Sequence, residues 1–328
     1  MPPGILPRRE GVRSAVIDIF GRWHVRSLRC YEEGLALRGI QAPVAPLLSV
    51  DPARGVLVEF LAAAVCHGTN WDRLRNHLLK AAGSPDHFVA ERLANLTLAT
   101  FVEEFGPAFG SVSDLAERHR VFCAVGAAFF RQDTRFDGKR LSSEPQRVGG
   151  AEGLYAQLDI LDTFRSDPHR KKSRILVQQL IRDGLLDVSD PHELRPAIEY
   201  HLVRLYLRTG RVVHEVSSHI MEQSGRATDV RSVTALRAAV EHAMRYTADS
   251  AELNVLQTND IEWQIARSFC DRSAPRCPGP PRQDKPVIPS IAAAAGGACI
   301  FAETCDGPRN ANVAALVEPR LADHHAYY

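Results

Sequence analysis

Apolar residues recur along this chain at intervals of three and four, the spacing that lays one stripe of a helix against a core. "AERLANLTLATFVEEF" places them at 93, 96, 98, 101 and 102. "RHRVFCAVGAAFF" is apolar nearly all round, which predicts a buried helix with Cys123 as a core residue. "GVLVEFLAAAVCHGTNWDRLRNHLL", from residue 55 on, predicts helix, break, helix, with Thr69 or Asn70 capping the second one. Ile198, Leu202 and Leu205 share one helical face in "RPAIEYHLVRLYLRTG", and Pro196 stands where such a helix starts. "VTALRAAVEHAMRYTADSA" predicts another amphipathic helix. Residues 12–50 predict a helix through "RSAVIDIFGRWHVRSLRCYEEGLAL", then a loop punctuated by Pro43, Pro46 and Pro52. No stretch alternates at period two for long enough to argue for a sheet, and no internal repeat is visible. An all-α protein is expected. Two helical lobes are expected, one over 51–193 and one from 1–50 plus 194–328.

Turn and cap signals refine this picture. In "RSDPHRKKSRILVQQLIRDG" Asp167 is the expected cap, Pro168 the first turn and Gly184 the end of a helix. Residues 131–153, polar and rich in turn formers, predict an exposed loop. Residues 278–298 hold five prolines and an Ala/Gly tract, which predicts an excursion with no core of its own.

A length of 328 residues allows a sizeable core, and 45% hydrophobic with 24% charged residues is ordinary for a globular chain. A net charge of +1 excludes a global pull on nucleic acid, so any such contact rests on local patches. "MPPGILPRRE" has no apolar core of the signal-peptide type, and the run from Gly55 to Cys66 is broken by Glu59 and too short to span a bilayer. A cytoplasmic protein with no membrane partner is expected, in which clustered cysteines hold metal sooner than disulfides.

Four of the seven cysteines, Cys270, Cys277, Cys299 and Cys305, follow one another as C-x6-C-x21-C-x5-C. Four thiolates supply a full ligand set for an iron–sulfur cluster or a structural zinc; unrelated free thiols are the alternative. No C-x2-C pair occurs, so spacing leaves the metal open. Arg170, Lys171, Lys172 and Arg174, with Arg165 and His169 beside them, crowd a helix start against the macrodipole. They read as a phosphate contact or as a solvated charge run. His67, Gly68, Thr69 and Asn70 read as a cleft lining or as a plain helix–helix turn, and Trp23 with Arg22, Arg26 and Arg29 as a solvated face or a ligand contact. Glu199 and His201 fall at the start of their helix, where a glutamate also complements the dipole.

"ARSFCDRSAPRC" with "CIFAETC" resembles the iron–sulfur loop of the endonuclease III and MutY branch of the helix-hairpin-helix DNA glycosylases, C-x6-C-x2-C-x5-C, with the middle spacing expanded. "PAIEYHLVRL" resembles that superfamily's V-D-x-H segment, with Glu199 in place of the catalytic Asp and His201 at the histidine. "AVCHGTNWDRL" is similar to the segment near the start of the helical barrel, with His67 where the family often has a glutamine. The order of the three segments is also the family's. Two positions depart from it. "RSDPHRKKSRILVQQL" stands where the hairpin L-P-G-x-G belongs, without either glycine that brings backbone amides close to a phosphate. Glu for Asp moves the carboxylate by about 1.5 Å.

The resemblance implies a two-lobed DNA-glycosylase-like fold, a 4Fe–4S cluster (zinc being the alternative) on the four cysteines, and cleavage of an N-glycosidic bond. Glu199 would stabilise the oxocarbenium-like sugar and orient water. Lys172 would act as a lyase amine or, with Lys171 and Arg170, hold phosphate. His67, Asn70, Trp71 and His201 would line the pocket for an extruded base. Queuosine-salvage hydrolases share the general fold and act on a free nucleotide or nucleoside, a substrate style that suits a chain without the hairpin glycines. The rivals are a catalytically silent nucleic-acid-binding relative and a zinc-stabilised helical interaction protein.

Overall fold

The computed structural model describes residues 22–43, 50–84, 86, 88–111, 114–131, 138–215, 227–277, 279–285 and 287–321. It is predominantly helical, with two two-stranded sheets among the described residues. Contacts divide the chain into two compact units, one made of residues up to Pro43 and from Ile198 to His325, the other running from residue 44 to Ala197. The sequence reading put these divisions at 50/51 and 193/194. No helix among the described residues is long and apolar enough to cross a membrane.

The unit from 44 to 197 is built around the helix Pro52–Val65. Asp51 caps it by accepting from Arg54 N at 3.1 Å, and every residue from Gly55 to Val65 is buried. Helices Trp71–Ala82, Leu115–Phe130 and Lys171–Arg182 pack on it. Glu59 interrupts this apolar run without breaking the core because Arg75 Nε meets it at 2.7 Å and also pairs with Asp183. The 90–109 stretch is two helices, Ala90–Ala94 and Leu98–Phe109, the second capped by Thr97. Two expectations are corrected. The 131–153 segment is not a solvated loop: it contains the helix Gly138–Ser143, and Leu141 and Val148 are buried. Asp190 fixes it, accepting from Val148 N at 2.8 Å and Gly149 N at 3.0 Å; residues 132–137 lie outside the described set. The helix expected to begin at Pro168 begins at Lys171 and ends before Gly184, which takes the left-handed conformation at φ 69°.

In the other unit the long first helix is corrected. Trp23–Val25 is a strand, paired antiparallel with Val212–His214, and the helix is Ser27–Leu37; residues 12–21 lie outside the described set. Trp23 is buried, its ring T-shaped against that of its cross-strand partner His214. Helix Ser27–Leu37 packs closely on helix Val230–Ala251, and Gly34 is the reason it can: a Cβ there would lie 2.5 Å from Ser250 Cβ and 2.6 Å from Thr247 O. Behind them Arg211 is fully buried over the Tyr206 ring, with Glu33 and Glu262 as its counter-charges. Helices Tyr200–Thr209 and Val255–Ser268 complete the core.

The 278–298 segment is also corrected: it contributes to this core. Helix Pro289–Ala295 buries Ile291 completely, with Val287 and Ile288 packed beside it. Three apolar residues at positions 287, 288 and 291 are enough to anchor a segment whose backbone is tied down by Gln264 Oε1, which accepts from Ile288 N at 2.9 Å. His324 and His325, whose place in the sequence reads as a frayed terminus or as further metal contacts, lie outside the described residues.

Candidate functional site: the Glu199 helix and the four-cysteine cavity

Glu199 is extended and is the N-cap of helix Tyr200–Thr209, its Oε1 accepting from His201 N at 3.1 Å. The helix therefore starts four residues after Pro196, not at it; the Pro196–Ile198 backbone is buried and non-helical. Gly210 ends the helix in the left-handed region at φ 76°. Along its polar side His201, Arg204 and Arg208 follow at intervals of three and four. His201 is buried, and its Nδ1 takes a hydrogen bond from Arg204 Nη2 at 2.8 Å. Burial, reinforced by the Arg204 charge, pushes its pKa down to about 2, so the ring is a neutral imidazole held by its arginine. Arg204 also donates from Nε to the Cys270 carbonyl at 2.7 Å and pairs with Glu318 at 2.7 Å.

The same helix forms one wall of a cavity of about 10 Å³, through Leu205, Arg208 and Thr209. Cys270, Cys277, Cys299 and Cys305 also line it, beside Phe301, all four cysteines buried and none in a disulfide. Cys270 sits just beyond helix Val255–Ser268, and Cys299 N donates to the Cys277 carbonyl at 3.2 Å, which folds the expanded middle spacing back on itself. The neighbouring Cys299 thiol, with burial adding to it, pushes the Cys277 thiol up to about 12; the neighbouring Cys277 and burial raise Cys305, and burial raises Cys270. Beside Cys305, the Asp306 carboxylate takes Arg26 and Arg29 at 2.9 Å each. Gly210 makes room for it, since a Cβ there would lie 2.0 Å from Asp306 Oδ2.

No family model matches this chain, and no curated protein does.

The donor set itself tests the cysteine reading. Four soft thiols with no carboxylate among the cavity-lining residues suit zinc or an iron–sulfur cluster, and binding either one displaces thiol protons. Among the described residues no group of three or more His, Cys, Asp or Glu side chains gathers in metal-holding geometry.

The remaining candidates belong to the 44–197 unit. Asn70 caps helix Trp71–Ala82, its Oδ1 accepting from Arg73 N at 3.0 Å, and Trp71 is half-buried against the core. His67 is buried with Nε2 3.2 Å from Asp114 Oδ2, while its buried Nδ1 has no hydrogen-bond partner among the described residues. Burial first, then the Arg118 and Lys172 charges, push its pKa down to about 4. Arg118 binds the whole break, reaching the carbonyls of Val65 and His67 and Thr69 Oγ1.

The basic run is not a solvated face at Lys171 and Lys172, which are 7% and 3% exposed. Arg170 takes the left-handed conformation at φ 51°, which turns the chain so that both lysines enter the unit, and itself pairs with Asp159 at 2.8 Å. Asp167 acts from outside the helix, accepting from His169 N at 3.1 Å and Lys172 N at 2.7 Å. Lys172 Nζ lies 3.0 Å from Thr163 Oγ1, and burial lowers its pKa.

The structure therefore brings Glu199, His201 and the four cysteines together around one helix, and His67 near Lys172 in the other unit. Sequence reading missed Asp114, Arg118 and Thr163 in the second group, and Arg204, Arg208, Asp306 and Glu318 in the first. Only Arg204 and Arg208 left a signal, the three-and-four spacing they share with His201.

Proposed function

We propose that this chain is an N-glycosidic-bond hydrolase acting on a nucleobase in a nucleic acid or nucleotide, in the manner of the helix-hairpin-helix DNA glycosylases. One observation carries the reading: a single ten-residue helix has Glu199 at its N-terminus and its far half in the wall of the four-cysteine cavity. Glu199 is the carboxylate that stabilises positive charge on the sugar and orients the attacking water. Positioning it is the task of the helix start, where the hydrogen bond from His201 N orients the side chain. Cys270, Cys277, Cys299 and Cys305 would hold a 4Fe–4S cluster or, alternatively, zinc. The bound group supplies a covalent brace that couples folding of the 270–305 segment to metal. Lys172, with its lowered basicity and position beside Thr163, is the amine proposed for substrate phosphate or for Schiff-base chemistry.

A second reading, a catalytically silent nucleic-acid-binding relative, is favoured by the use of Glu199 as a helix cap. The test is base release from a panel of nucleosides, nucleotides and oligonucleotides by anaerobically purified protein, with iron, sulfide and zinc analysis. Glu199→Gln is expected to lower release by roughly a hundredfold or more, as loss of a positioned group does, with metal content and helicity unchanged. Full activity in Glu199→Gln overturns the hydrolase reading. Salt-dependent nucleic-acid binding that survives Glu199→Gln, with no base released, selects the silent relative. A colourless protein with stoichiometric zinc replaces the cluster by zinc on the same four thiols.

A further inference from the structure

We infer that Arg208 is the charge partner of an anionic four-thiolate centre, a positioning residue that the loaded centre neutralises; this rests on the reading of the cysteines as metal ligands. Among the described residues, Arg118, Arg204, Arg208 and Arg211 are the arginines buried essentially completely. Three of them have carboxylates: Asp114 for Arg118, Glu318 for Arg204, Glu33 and Glu262 for Arg211. Arg208 has none within ion-pair distance among the described residues. Its guanidinium donates to the carbonyls of Leu316 at 2.8 Å, Asp271, and Arg272 at 3.2 Å, and to Cys270 Sγ at 3.5 Å. Its own carbonyl accepts from Cys305 Sγ at 3.3 Å. One residue thus touches the first and the last cysteine of the set.

Carbonyl dipoles solvate a guanidinium, but they leave its charge uncompensated in the interior. Four protonated thiols do the same. Four thiolates around a divalent ion, or around a cubane core of the same charge, leave a net negative centre, and Arg208 Nη1 is directed at one of its sulfurs. The charge argument therefore holds for iron and for zinc alike. It also separates two roles. A guanidinium that merely ties loops together stabilises the metal-free chain, whereas a counter-charge stabilises only the loaded one.

The experiment uses the full-length protein, metal-free and reconstituted with iron and sulfide or with zinc, as wild type, Arg208→Lys and Arg208→Met. Metal retention against a chelator, the visible spectrum, the reduction potential of an iron centre, and urea unfolding of the metal-free form are measured. Arg208→Met is expected to lose metal at least tenfold faster, and an iron centre to move to a lower potential, since a nearby positive charge favours the reduced, more negative state. Arg208→Lys is expected to recover most of both. Metal-free Arg208→Met is expected to be as stable as metal-free wild type or more so. Unchanged retention and potential in Arg208→Met overturn the assignment, as does a metal-free Arg208→Met protein that is markedly less stable or does not fold. A wild type that takes up neither metal overturns the ligand reading of the cysteines, and the assignment with it; retention of metal by wild type with no effect of Arg208 overturns the assignment alone.

Discussion

Arg204 Nε donates to the Cys270 carbonyl at 2.7 Å, so the helix that Glu199 caps is bonded through one side chain to the first residue of the cysteine set. The same guanidinium holds Glu318 at 2.7 Å and His201 Nδ1 at 2.8 Å. Arg204→Met leaves the buried Glu318 with only the more distant Arg272, at 3.8 Å, and unfolding free energy is expected to fall by about 3 kcal/mol. Arg204→Lys is expected to recover only part of it, because an ammonium lacks the planar fork that reaches three acceptors at once. Urea unfolding of the two variants checks both statements; equal stability of Arg204→Met and wild type would show that the contact contributes nothing.

Acid sensitivity follows from His67. Burial holds its pKa near 4, below the ordinary 6.5. Between those values the unfolded chain carries a proton that the folded chain does not, so stability rises with pH through the window and is lost as pH falls from 6.5 towards 4. The loss is roughly 2–3 kcal/mol at the acid end. His67→Gln keeps a donor for Asp114 and does not titrate, so its stability curve should be flatter in that window. Urea midpoints at about pH 7 and about pH 4.5 compare the two; parallel curves would mean that His67 takes up its proton at the same pH in the folded and the unfolded chain.

Ile291 decides whether the Pro/Ala/Gly-rich segment belongs to the core. It is fully buried in helix Pro289–Ala295. Ile291→Ala is expected to lower unfolding free energy by about 2–5 kcal/mol, the cost of an aliphatic truncation in a packed site. An excursion without a core role would give less than about 0.5 kcal/mol.

Close packing of helices Ser27–Leu37 and Val230–Ala251 depends on Gly34. Even a methyl group meets Ser250 Cβ at 2.5 Å and the Thr247 carbonyl at 2.6 Å, so Gly34→Ala must force the helices apart. A loss of about 1–3 kcal/mol is expected, despite the gain in helix propensity that alanine brings. A thermal or urea midpoint at or above that of wild type would refute it.

Much of this protein was legible where a residue acts on its own neighbours in the chain. Asn70 caps the residue three ahead of it, and Gly184 supplies a left-handed φ just past a helix end; both signals are local and the structure uses both. The fourfold cysteine spacing marked out residues that prove to line one cavity. Asp167 was misread by position: it is a capping acceptor, but the left-handed Arg170 delays the helix start. Lys171 and Lys172 read as a phosphate contact or a solvated charge run, and their burial was missed because a basic stretch carries no mark of the turn that buries it.

Helix periodicity, caps and cysteine spacing are intervals along a backbone of fixed geometry, so the sequence by itself determined a predominantly helical chain, the ends of several helices and the grouping of the thiols. Strand Trp23–Val25 pairs with a partner nearly two hundred residues away, and Ile291 enters a core assembled from both ends of the chain. Asp114 meets His67 across three intervening helices, and Arg208 touches the first and last cysteines without a carboxylate partner among the described residues. The tertiary structure decided these because burial and charge compensation depend on which distant residues the packed chain brings within a few ångströms, and no local spacing encodes that.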